Sequence, residues 1–309
     1  MAVSLTFLIS LFAALTVFPT AGAQVTVGPG GQFRKLQEAL NRAAAGTRIV
    51  LLPGTYREKV RVSQKGIQLI GTPGKSIIVW GDSAGEAGGT DKSATFTVLG
   101  GASGFTATGV SFVNDHGPNK KGSSNQQAVA LYVLADSSFY NCRIDGHQDT
   151  LFAHAGRQYY KSCWISGTVD FAFGAGTVFF EDCTLYAKKR VDSTYATYTA
   201  QQRNTANAPS GFVFLRGSIQ CGLGVKGWLG RAWGTYARTI FIQTFMHDCI
   251  RPEGWTTMKS FKATSTTFFA EYQCTGPGSN RQGRVPWAKT LTPAQARFFS
   301  SKSNFIGRS

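Results

Sequence analysis

A short segment that pairs an aromatic side chain with a cysteine recurs along the middle of the chain. It occupies residues 139–144 (FYNCRI), 160–165 (YKSCWI) and 180–185 (FEDCTL), which places its cysteines at positions 142, 163 and 183. A unit that returns about every 20 residues is typical of a solenoid, whose successive turns stack on one another. The repeat therefore predicts an all-β protein folded as a single right-handed parallel β-helix.

The segments outside the repeat predict the remaining elements of this fold. Residues 33–46 read as an amphipathic helix that ends at a glycine and caps the N-terminal end of the solenoid. A short C-terminal helix is expected to begin at Thr292-Pro293 and to run through Phe298-Phe299. The apolar pattern and the Gly and Pro signals predict strands at residues 47–52, 68–70 and 77–80, after which residues 105–112 lead into the repeated unit. The polar residues 194–210 are expected to form a long loop.

Two aspartates share the period of the repeat. Asp149 lies in residues 146–151 (GHQDTL) and Asp170 lies in residues 167–174 (GTVDFAFG), the same interval that separates Cys142 from Cys163. Because stacked strands lie about 4.8 Å apart, equivalent residues of neighbouring turns are side by side. Two carboxyl groups at that distance cannot both ionise freely, so the pair is predicted to work as acid and base.

Two glutamines and an arginine complete this candidate site. Gln127 precedes Gln148 by the same interval, and two amides on neighbouring turns can direct N–H donors at a developing oxyanion. Arg231 beside one aspartate would hold that carboxylate ionised while the other stays protonated. Trp228 and Trp233 offer flat faces for a sugar ring.

Each of these residues also has a structural interpretation. Aspartates after glycine form turns, glutamines on a β-helix form amide ladders, arginines neutralise buried carboxylates, and tryptophans pack. The joint pattern is harder to explain by structure alone, because polar groups buried at a matched period are costly unless they serve a function.

The composition restricts the partners. The chain carries a formal net charge of +16, which requires an anionic partner or environment. Its basic residues are scattered and form no nucleic-acid-binding module, so an acidic polysaccharide is expected and nucleic acid is not.

The first residues predict export. Residues 1–23 are uncharged and apolar and end in small residues before Gln24, as in a secretory signal peptide. A membrane anchor is the alternative, but the apolar run is short and interrupted, and no membrane association is expected. Residues 24–309 are expected to form one domain.

Six cysteines in an exported chain predict disulfide bonds, for which 15 pairings are possible. Their spacings match no zinc-binding pattern. The pairing that we favour is Cys142 with Cys163, Cys183 with Cys221, and Cys249 with Cys274.

Five ordered blocks resemble the plant-type pectin methylesterases, or pectinesterases. The blocks are residues 54–58, 127–131, 146–151, 167–174 and 229–233, with looser matches at 199–201 and 272–278. The resemblance implies a right-handed parallel β-helix and hydrolysis of galacturonosyl methyl esters to methanol and free carboxylate, without a metal or other cofactor. With no pro-region between the signal peptide and the catalytic domain, the chain resembles the shorter class of the family.

The resemblance also implies roles for the catalytic residues. Asp170 matches the nucleophile that forms an acyl-enzyme. Asp149 matches the acid that protonates the departing methanol and then activates water as a base. Gln127 and Gln148 match the oxyanion donors.

Further positions match the substrate-binding residues of the family, namely Thr90, Gln127, Arg231 and Trp233. Of these, Arg231 matches a residue that contacts the nucleophile, and Trp233 matches one that contacts the sugar. The chain departs from the family at Asp91, His147 and Ala232, where Phe, another aromatic residue and Pro are usual. These departures concern the preference of the sugar subsites.

The implied substrate is methyl-esterified homogalacturonan in the cell wall, outside the cell. A proteinaceous pectinesterase inhibitor is a further candidate partner, and the protein is expected to be a monomer.

Two rival functions are considered. A polygalacturonan glycoside hydrolase on the same fold is one rival, since glycosidases also use paired carboxylates. Acyl transfer needs an oxyanion hole and an oxocarbenium-like transition state does not, so the two glutamines favour the esterase. A catalytically silent pectin-binding protein is the other rival, and the intact catalytic positions count against it.

Overall fold

The computed structural model describes residues 24–119, 123–258, 260 and 265–307. The predicted signal peptide at residues 1–23 lies outside the described residues. Within the described ranges, no helix has the length and apolar character needed to cross a membrane.

The described residues form three parallel sheets. From Arg48–Leu51 to Trp255–Thr256, each turn of the chain adds one strand to each sheet in the order sheet 1, sheet 2, sheet 3, and sheet 1 has further strands at both ends. Sheet 1 contains Gln24–Val27, Arg48–Leu51, Gln68–Ile70, Phe105–Thr108, Ser137–Tyr140, Arg157–Lys161, Thr177–Glu181, Gly211–Leu215, Arg238–Ile242, Phe268–Tyr272 and Lys289–Thr290. Sheet 2 contains Gly54–Arg57, Ser76–Trp80, Ser111–Asn114, Arg143–Asp145, Trp164–Gly167, Thr184–Ala187, Ser218–Cys221 and Phe245–Met246. Sheet 3 contains Val60–Val62, Phe96–Val98, Leu131–Val133, Leu151–Ala153, Val169–Gly174, Tyr195–Gln201, Lys226–Arg231 and Trp255–Thr256. The predicted right-handed parallel β-helix is confirmed.

The aromatic half of the sequence repeat forms a stacked column inside the β-helix. Phe139, Tyr160 and Phe180 are in register on sheet 1, and their rings stack at centroid distances of 4.7 and 4.9 Å. Phe214 and Phe241 extend the column at 4.3 and 4.6 Å. Offset stacking of this kind adds about 0.5–1.5 kcal/mol per pair beyond the burial of apolar surface.

The cysteine half of the repeat marks the corner between sheets 1 and 2. Asn141, Ser162 and Asp182 occupy the left-handed region with φ of 50–55°, which small polar residues tolerate better than most. The cysteine that follows each of them is buried. The repeat is therefore a corner motif in which the chain turns and directs the next side chain into the core.

The three predicted disulfide pairings are wrong in this structure, where all six cysteines are free. Burial raises the pKa of the Cys142 and Cys163 thiols well above the usual value. These thiols lie 3.4 Å from the carbonyl oxygens of Tyr140 and Lys161, to which they donate. Cys221 lies beside Cys249 rather than Cys183, because it ends the strand Ser218–Cys221 in register with Ala187, past the corner that Cys183 occupies.

The predicted N-terminal helix is present but shorter than residues 33–46. It spans Leu36–Arg42, because Lys35 and Ala43 have extended backbone angles. The carboxylate of Glu58 accepts from the N–H groups of Leu36 and Gln37 at 2.8 and 3.1 Å, which satisfies the free donors of its first turn. Its buried side joins the N-terminal end of the main core.

The C-terminal helix at Pro293–Phe299 is confirmed, with Thr292 and Gln295 forming its capping box. It packs with a second helix, Lys302–Phe305, on the outer face of sheet 1. The shorter helical segments are Ala84–Ala87, Asp91–Ser93 and Pro277–Ser279.

Residues 105–112, which lead into the repeat, contain parts of two strands, because Gly109 turns the chain with φ of 68°. One loop prediction needs correction. The predicted loop at 194–210 begins with Tyr195–Gln201, a strand of sheet 3, and only the rest is irregular. Its threonines and glutamine made this strand look like a loop, although all its residues except Tyr195 are buried.

Candidate active site

The two aspartates lie on neighbouring turns at the beginning of sheet 3. Asp149 precedes the strand Leu151–Ala153, and its N–H donates to the carbonyl of Val169 at 3.0 Å. Asp170 lies where the register between Val169–Gly174 and the next strand shifts. Both have left-handed backbones, with φ of 62° and 52°. Such conformations cost on the order of 1–3 kcal/mol and are concentrated at functional sites.

Arg231 holds the Asp170 carboxylate from the end of its own sheet-3 strand. Its Nε donates to Asp170 Oδ1 at 2.8 Å, and a terminal nitrogen donates to Oδ2 at 2.5 Å. The Asp170 side chain is 9% exposed and that of Arg231 is 27% exposed. Bidentate pairing of this kind fixes the orientation of the carboxylate and supports its negative charge.

The surroundings of the two carboxyls favour Asp149 as the one that holds a proton. Burial raises the pKa of Asp149 well above its usual value, and the negative charge of Asp170 raises it further. Burial also raises the pKa of Asp170, but the hydrogen bonds and the charge of Arg231 oppose that rise. The two carboxyls therefore differ in charge because the guanidinium contacts only one of them directly.

The two predicted glutamines lie beside the pair. Gln148 Oε1 accepts a short hydrogen bond from Asn119 Nδ2, and a hydrogen bond from Gln148 reaches Asp149. Gln127 Oε1 is buried and has no hydrogen-bond partner among the residues that the structure describes. Both amides face a cavity of about 530 Å³.

This cavity brings together all the residues that the sequence predicted for catalysis and substrate binding. They are Thr90, Gln127, Gln148, Asp149, Asp170, Arg231 and Trp233. Trp228, the other tryptophan considered as a sugar platform, is not among them. It packs instead beside Tyr195, with a ring-centroid distance of 5.5 Å, and below the Arg251 guanidinium at 4.9 Å.

Sequence reasoning missed the aromatic floor of the cavity. Tyr132, Phe152 and Phe173 stack on the outer face of sheet 3 at 4.7 and 4.2 Å, and Trp233 lies 5.8 Å from Phe173. The signal was present, because the three stacked rings recur with the same period as the core repeat, but on the opposite face of the strand from the core residues. The cavity is also lined by Asp91, His154, Ala200 and Met258.

His147, between Gly146 and Gln148, does not line the cavity. Its pKa is lowered to about 4, first by burial and then by the charge of Lys188, so it is neutral. Within the described part of the chain, no group of three or more His, Cys, Asp or Glu side chains is arranged to hold a metal ion.

The fold and the site define a parallel β-helix protein with a buried, asymmetrically charged carboxyl pair in an aromatic-floored cleft. The family model described as Pectinesterase matches residues 23–309. The chain belongs to the pectinesterase family.

Individual relatives agree with this assignment. The chain is 38% identical over 308 residues to pectinesterase 2 of Citrus sinensis, covering 94% of this chain and 59% of that protein. It is 35% identical over 305 residues to putative pectinesterase 14 of Arabidopsis thaliana, covering 95% of this chain and 90% of that protein. The structure matches pectin methylesterase from carrot with a TM-score of 0.85 and 31% identity, over 93% of this chain and 94% of that one. A pectin methylesterase in complex with a hexasaccharide matches with a TM-score of 0.80 and 28% identity, over 93% of this chain and 97% of that one.

Proposed function

We propose that this protein is a carboxylic ester hydrolase that removes methyl esters from homogalacturonan, releasing methanol and free galacturonate carboxylates. The observation that carries the proposal is the Asp149–Asp170 pair, in which Arg231 supports the charge of Asp170 and leaves the proton on Asp149. An ester hydrolase of this kind needs such a difference in protonation, because one carboxylate must attack the ester carbon while the other carboxyl donates a proton.

In the first half of the reaction, an Asp170 oxygen attacks the carbonyl carbon of the methyl ester. The carbonyl oxygen becomes negative and is stabilised by amide N–H groups of Gln127 and Gln148. Asp149 transfers its proton to the methoxy oxygen as the carbon–oxygen bond breaks, so that methanol leaves. The product is an acyl-enzyme in which Asp170 and the galacturonate carbonyl form an anhydride.

In the second half, Asp149 is a carboxylate and takes a proton from a water molecule. The hydroxide equivalent attacks the galacturonate carbonyl carbon, and Asp170 departs as a carboxylate. Arg231 supports this departing charge, and Asp149 again holds a proton. The enzyme returns to its initial state after the net addition of one water molecule.

The cleft suits a polysaccharide of galacturonate units. Tyr132, Phe152, Phe173 and Trp233 provide an aromatic surface for sugar rings, and Thr90 adds a hydroxyl group to the cavity wall. The net charge of +16 attracts an acidic polymer. The hexasaccharide bound to a related pectin methylesterase supports an extended sugar ligand.

Secretion to the cell wall as a monomer is part of the proposal, and the secretion rests on the apolar character of residues 1–23. Protein recovered outside the cell is expected to begin at Gln24 and to elute from a sizing column at the mass of one chain.

The test compares methanol with new reducing ends after the purified protein acts on highly methylated pectin. The esterase releases methanol without new reducing ends, whereas a glycoside hydrolase gives the reverse. A silent pectin-binding protein gives neither. Asp170→Asn is the control, and methanol release by that variant at the wild-type rate contradicts the proposed mechanism.

A further inference from the structure

Asn114 is a buried polar residue outside the active-site cavity. It ends the strand Ser111–Asn114 of sheet 2 and is 2% exposed. It lies two residues after Phe112, a side chain of the main core, and therefore on the same inner face of the strand. An amide in such a place is costly unless it is hydrogen-bonded. The partners of this amide therefore indicate its role.

The Asn114 side chain joins three segments of the chain. Its Nδ2 donates to the carbonyl oxygens of Asp82, Val129 and Ser93 at 2.9, 3.1 and 3.3 Å. Its Oδ1 accepts from the N–H of His116 at 3.0 Å. The amide has two N–H hydrogens for three carbonyl oxygens, so one hydrogen is shared. Only this orientation of the amide matches its donors with acceptors and its acceptor with a donor.

Two of these segments carry residues of the active-site cavity. Residues 82–93 include Thr90, and Val129 follows Gln127 by two residues. Gln127 lies before the strand Leu131–Val133, so its backbone is outside the sheet. The position of Gln127 therefore depends on the hydrogen bonds that tie its segment to residues 82–93.

Direct hydrogen bonds connect the two segments. The N–H of Ala84 donates to the carbonyl oxygen of Gln127 at 2.7 Å. The N–H of Val129 donates to Ser93 Oγ at 3.0 Å. Because Asn114 donates to the carbonyl oxygens of both Ser93 and Val129, it holds the two sides of this contact together.

The amide of Gln127 lacks the kind of anchor that Gln148 has. Gln127 Oε1 is buried and has no hydrogen-bond partner in the part of the chain that the structure describes. Gln148 Oε1, in contrast, accepts from Asn119. The direction of the Gln127 N–H groups therefore depends on where the backbone places the side chain.

We infer that Asn114 is a positioning residue for the oxyanion hole, which acts by fixing the backbone that carries Gln127. The inference rests on the proposed function and adds a residue that touches neither the substrate nor the reacting atoms. Stabilisation of an oxyanion requires donors that are oriented before the charge develops. Asn114 supplies that orientation through its bonds to Ser93 and Val129.

Removal of the Asn114 amide should lower kcat. Asn114→Ala takes the donors away from the carbonyl oxygens of Ser93 and Val129, so the two segments shift relative to each other. Misplacement of a catalytic group by about 1 Å can cost about 10² in rate, and we expect a loss of that size. KM should change little, because Gln127 acts on charge that develops only in the transition state. Asn114→Asp keeps the shape and the acceptor for His116 but lacks the N–H₂ group, so it should show the same loss.

A double-mutant cycle tests whether Asn114 acts through Gln127. Methanol release is measured for Asn114→Ala, for Gln127→Ala and for the double variant. If Asn114 positions Gln127, its removal lowers kcat in the wild-type background and has almost no effect in Gln127→Ala. Ser76→Ala is the control, because Ser76 is fully buried in sheet 2 and donates to the carbonyl oxygen of Leu51 at 2.7 Å, outside the cavity. This variant should lower the melting temperature and leave kcat unchanged in both backgrounds.

Hydrogen exchange gives a second readout that does not depend on turnover. In Asn114→Ala, the N–H groups of Ala84 and Val129 should exchange faster, whereas that of Tyr160 in the core repeat should not. Ser76→Ala should leave all three unchanged. Additive losses of kcat in the cycle, or unchanged exchange at Ala84 and Val129, overturn the inference. Absence of methanol release by the wild type would instead overturn the proposed function, because the exchange result stands independently of the reaction.

Discussion

Arg231 and Asp170 form a bidentate ion pair with N–O distances of 2.8 and 2.5 Å, joining residues 61 positions apart in sequence. Asp149, on the neighbouring turn, has its pKa raised by burial and by the charge of Asp170. In the proposed mechanism, this one guanidinium decides which carboxyl attacks and which donates a proton.

Removing Arg231 should change the pH dependence of the reaction. Arg231 opposes the rise in the pKa of Asp170, so in Arg231→Gln that pKa increases and the carboxylate is lost at a higher pH. The acidic limb of the kcat/KM profile should move upward by on the order of 1–3 pH units, the usual effect of a neighbouring arginine. Arg231→Lys, which keeps the charge, should move it less. An unshifted profile in Arg231→Gln would show that the ion pair does not set the ionisation of Asp170.

The two aspartates should respond differently to a better leaving group. Asp170→Asn removes the proposed nucleophile, so methanol release should fall to background, including the first turnover. Asp149→Asn keeps the nucleophile and loses acid and base assistance, which costs on the order of 10²–10⁴ in rate. An activated aryl ester that fits the cleft should restore acylation in Asp149→Asn alone, because its leaving group needs no proton. Rescue of Asp170→Asn alone would reverse the assignment, and equal rescue of both variants would contradict the mechanism.

The oxyanion donors can be separated from structural glutamines. Gln127→Ala and Gln148→Ala should each lower kcat by roughly 10²–10³, with little change in thermal stability. Gln158 is the matched control, because it is buried and bonded to the Ala155 carbonyl at 2.8 Å and to Tyr160 at 2.8 Å. Gln158→Ala should therefore lower the melting temperature and leave kcat close to normal. Near-normal turnover by Gln127→Ala or Gln148→Ala would make that glutamine structural.

Asn119 should act on catalysis through Gln148. Its amide N–H donates to Gln148 Oε1, which directs the N–H₂ end of Gln148 towards Asp149 and the cavity. In Asn119→Asp the new carboxylate accepts from that N–H₂ end, so the amide turns and presents its oxygen to the developing negative charge.

The expected loss in Asn119→Asp is about 10² in kcat, comparable to removal of one donor, with KM little changed. Asn119→Ser replaces the amide N–H donor with an O–H donor, so this variant should keep most of the activity that Asn119→Asp loses. Asn41→Asp adds the same charge on the N-terminal helix and serves as the control. A rise in KM without a fall in kcat would mean that Asn119 contacts substrate rather than positioning Gln148.

Binding to de-esterified polygalacturonate should depend strongly on salt. The net charge of +16 acts over long distances at low ionic strength, and screening shortens its range from about 10 Å at 0.1 M to about 3 Å at 1 M salt. Retention on a polygalacturonate column should be strong at low salt and weak at molar salt. Retention that persists unchanged at molar salt would show that the charge does not drive binding.

Much of the fold could be predicted because the repeat follows directly from strand stacking. The strand Gln68–Ile70 and the helix at Pro293–Phe299 were located at their observed bounds. The strand Tyr195–Gln201 was missed because its polar residues are buried through pairing with neighbouring strands. Polarity along one segment does not reveal such burial, because it depends on strands distant in sequence.

Part of the site could likewise be predicted from the repeat, and part depended on the tertiary structure. The period of the repeat brings Asp149 beside Asp170 and Gln127 beside Gln148, so the sequence alone identified these residues as neighbours. The same period carried the aromatic floor, but Trp228 and Trp233 could not be distinguished by residue type. Trp228 lies within the strand Lys226–Arg231, and Trp233 lies in the loop after it. Only these positions decide which of the two rings faces the cavity.

By itself, the sequence determined the β-helix and the residues that stack along its axis, because a fixed period places equivalent residues of successive turns next to one another. Only the tertiary structure decided that Arg231 binds both carboxylate oxygens of Asp170 and that Asn119 orients Gln148. These relationships join segments that do not share the repeat. Their geometry is set by how strands of unequal length and the loops between them pack, and neither spacing nor composition encodes that packing locally.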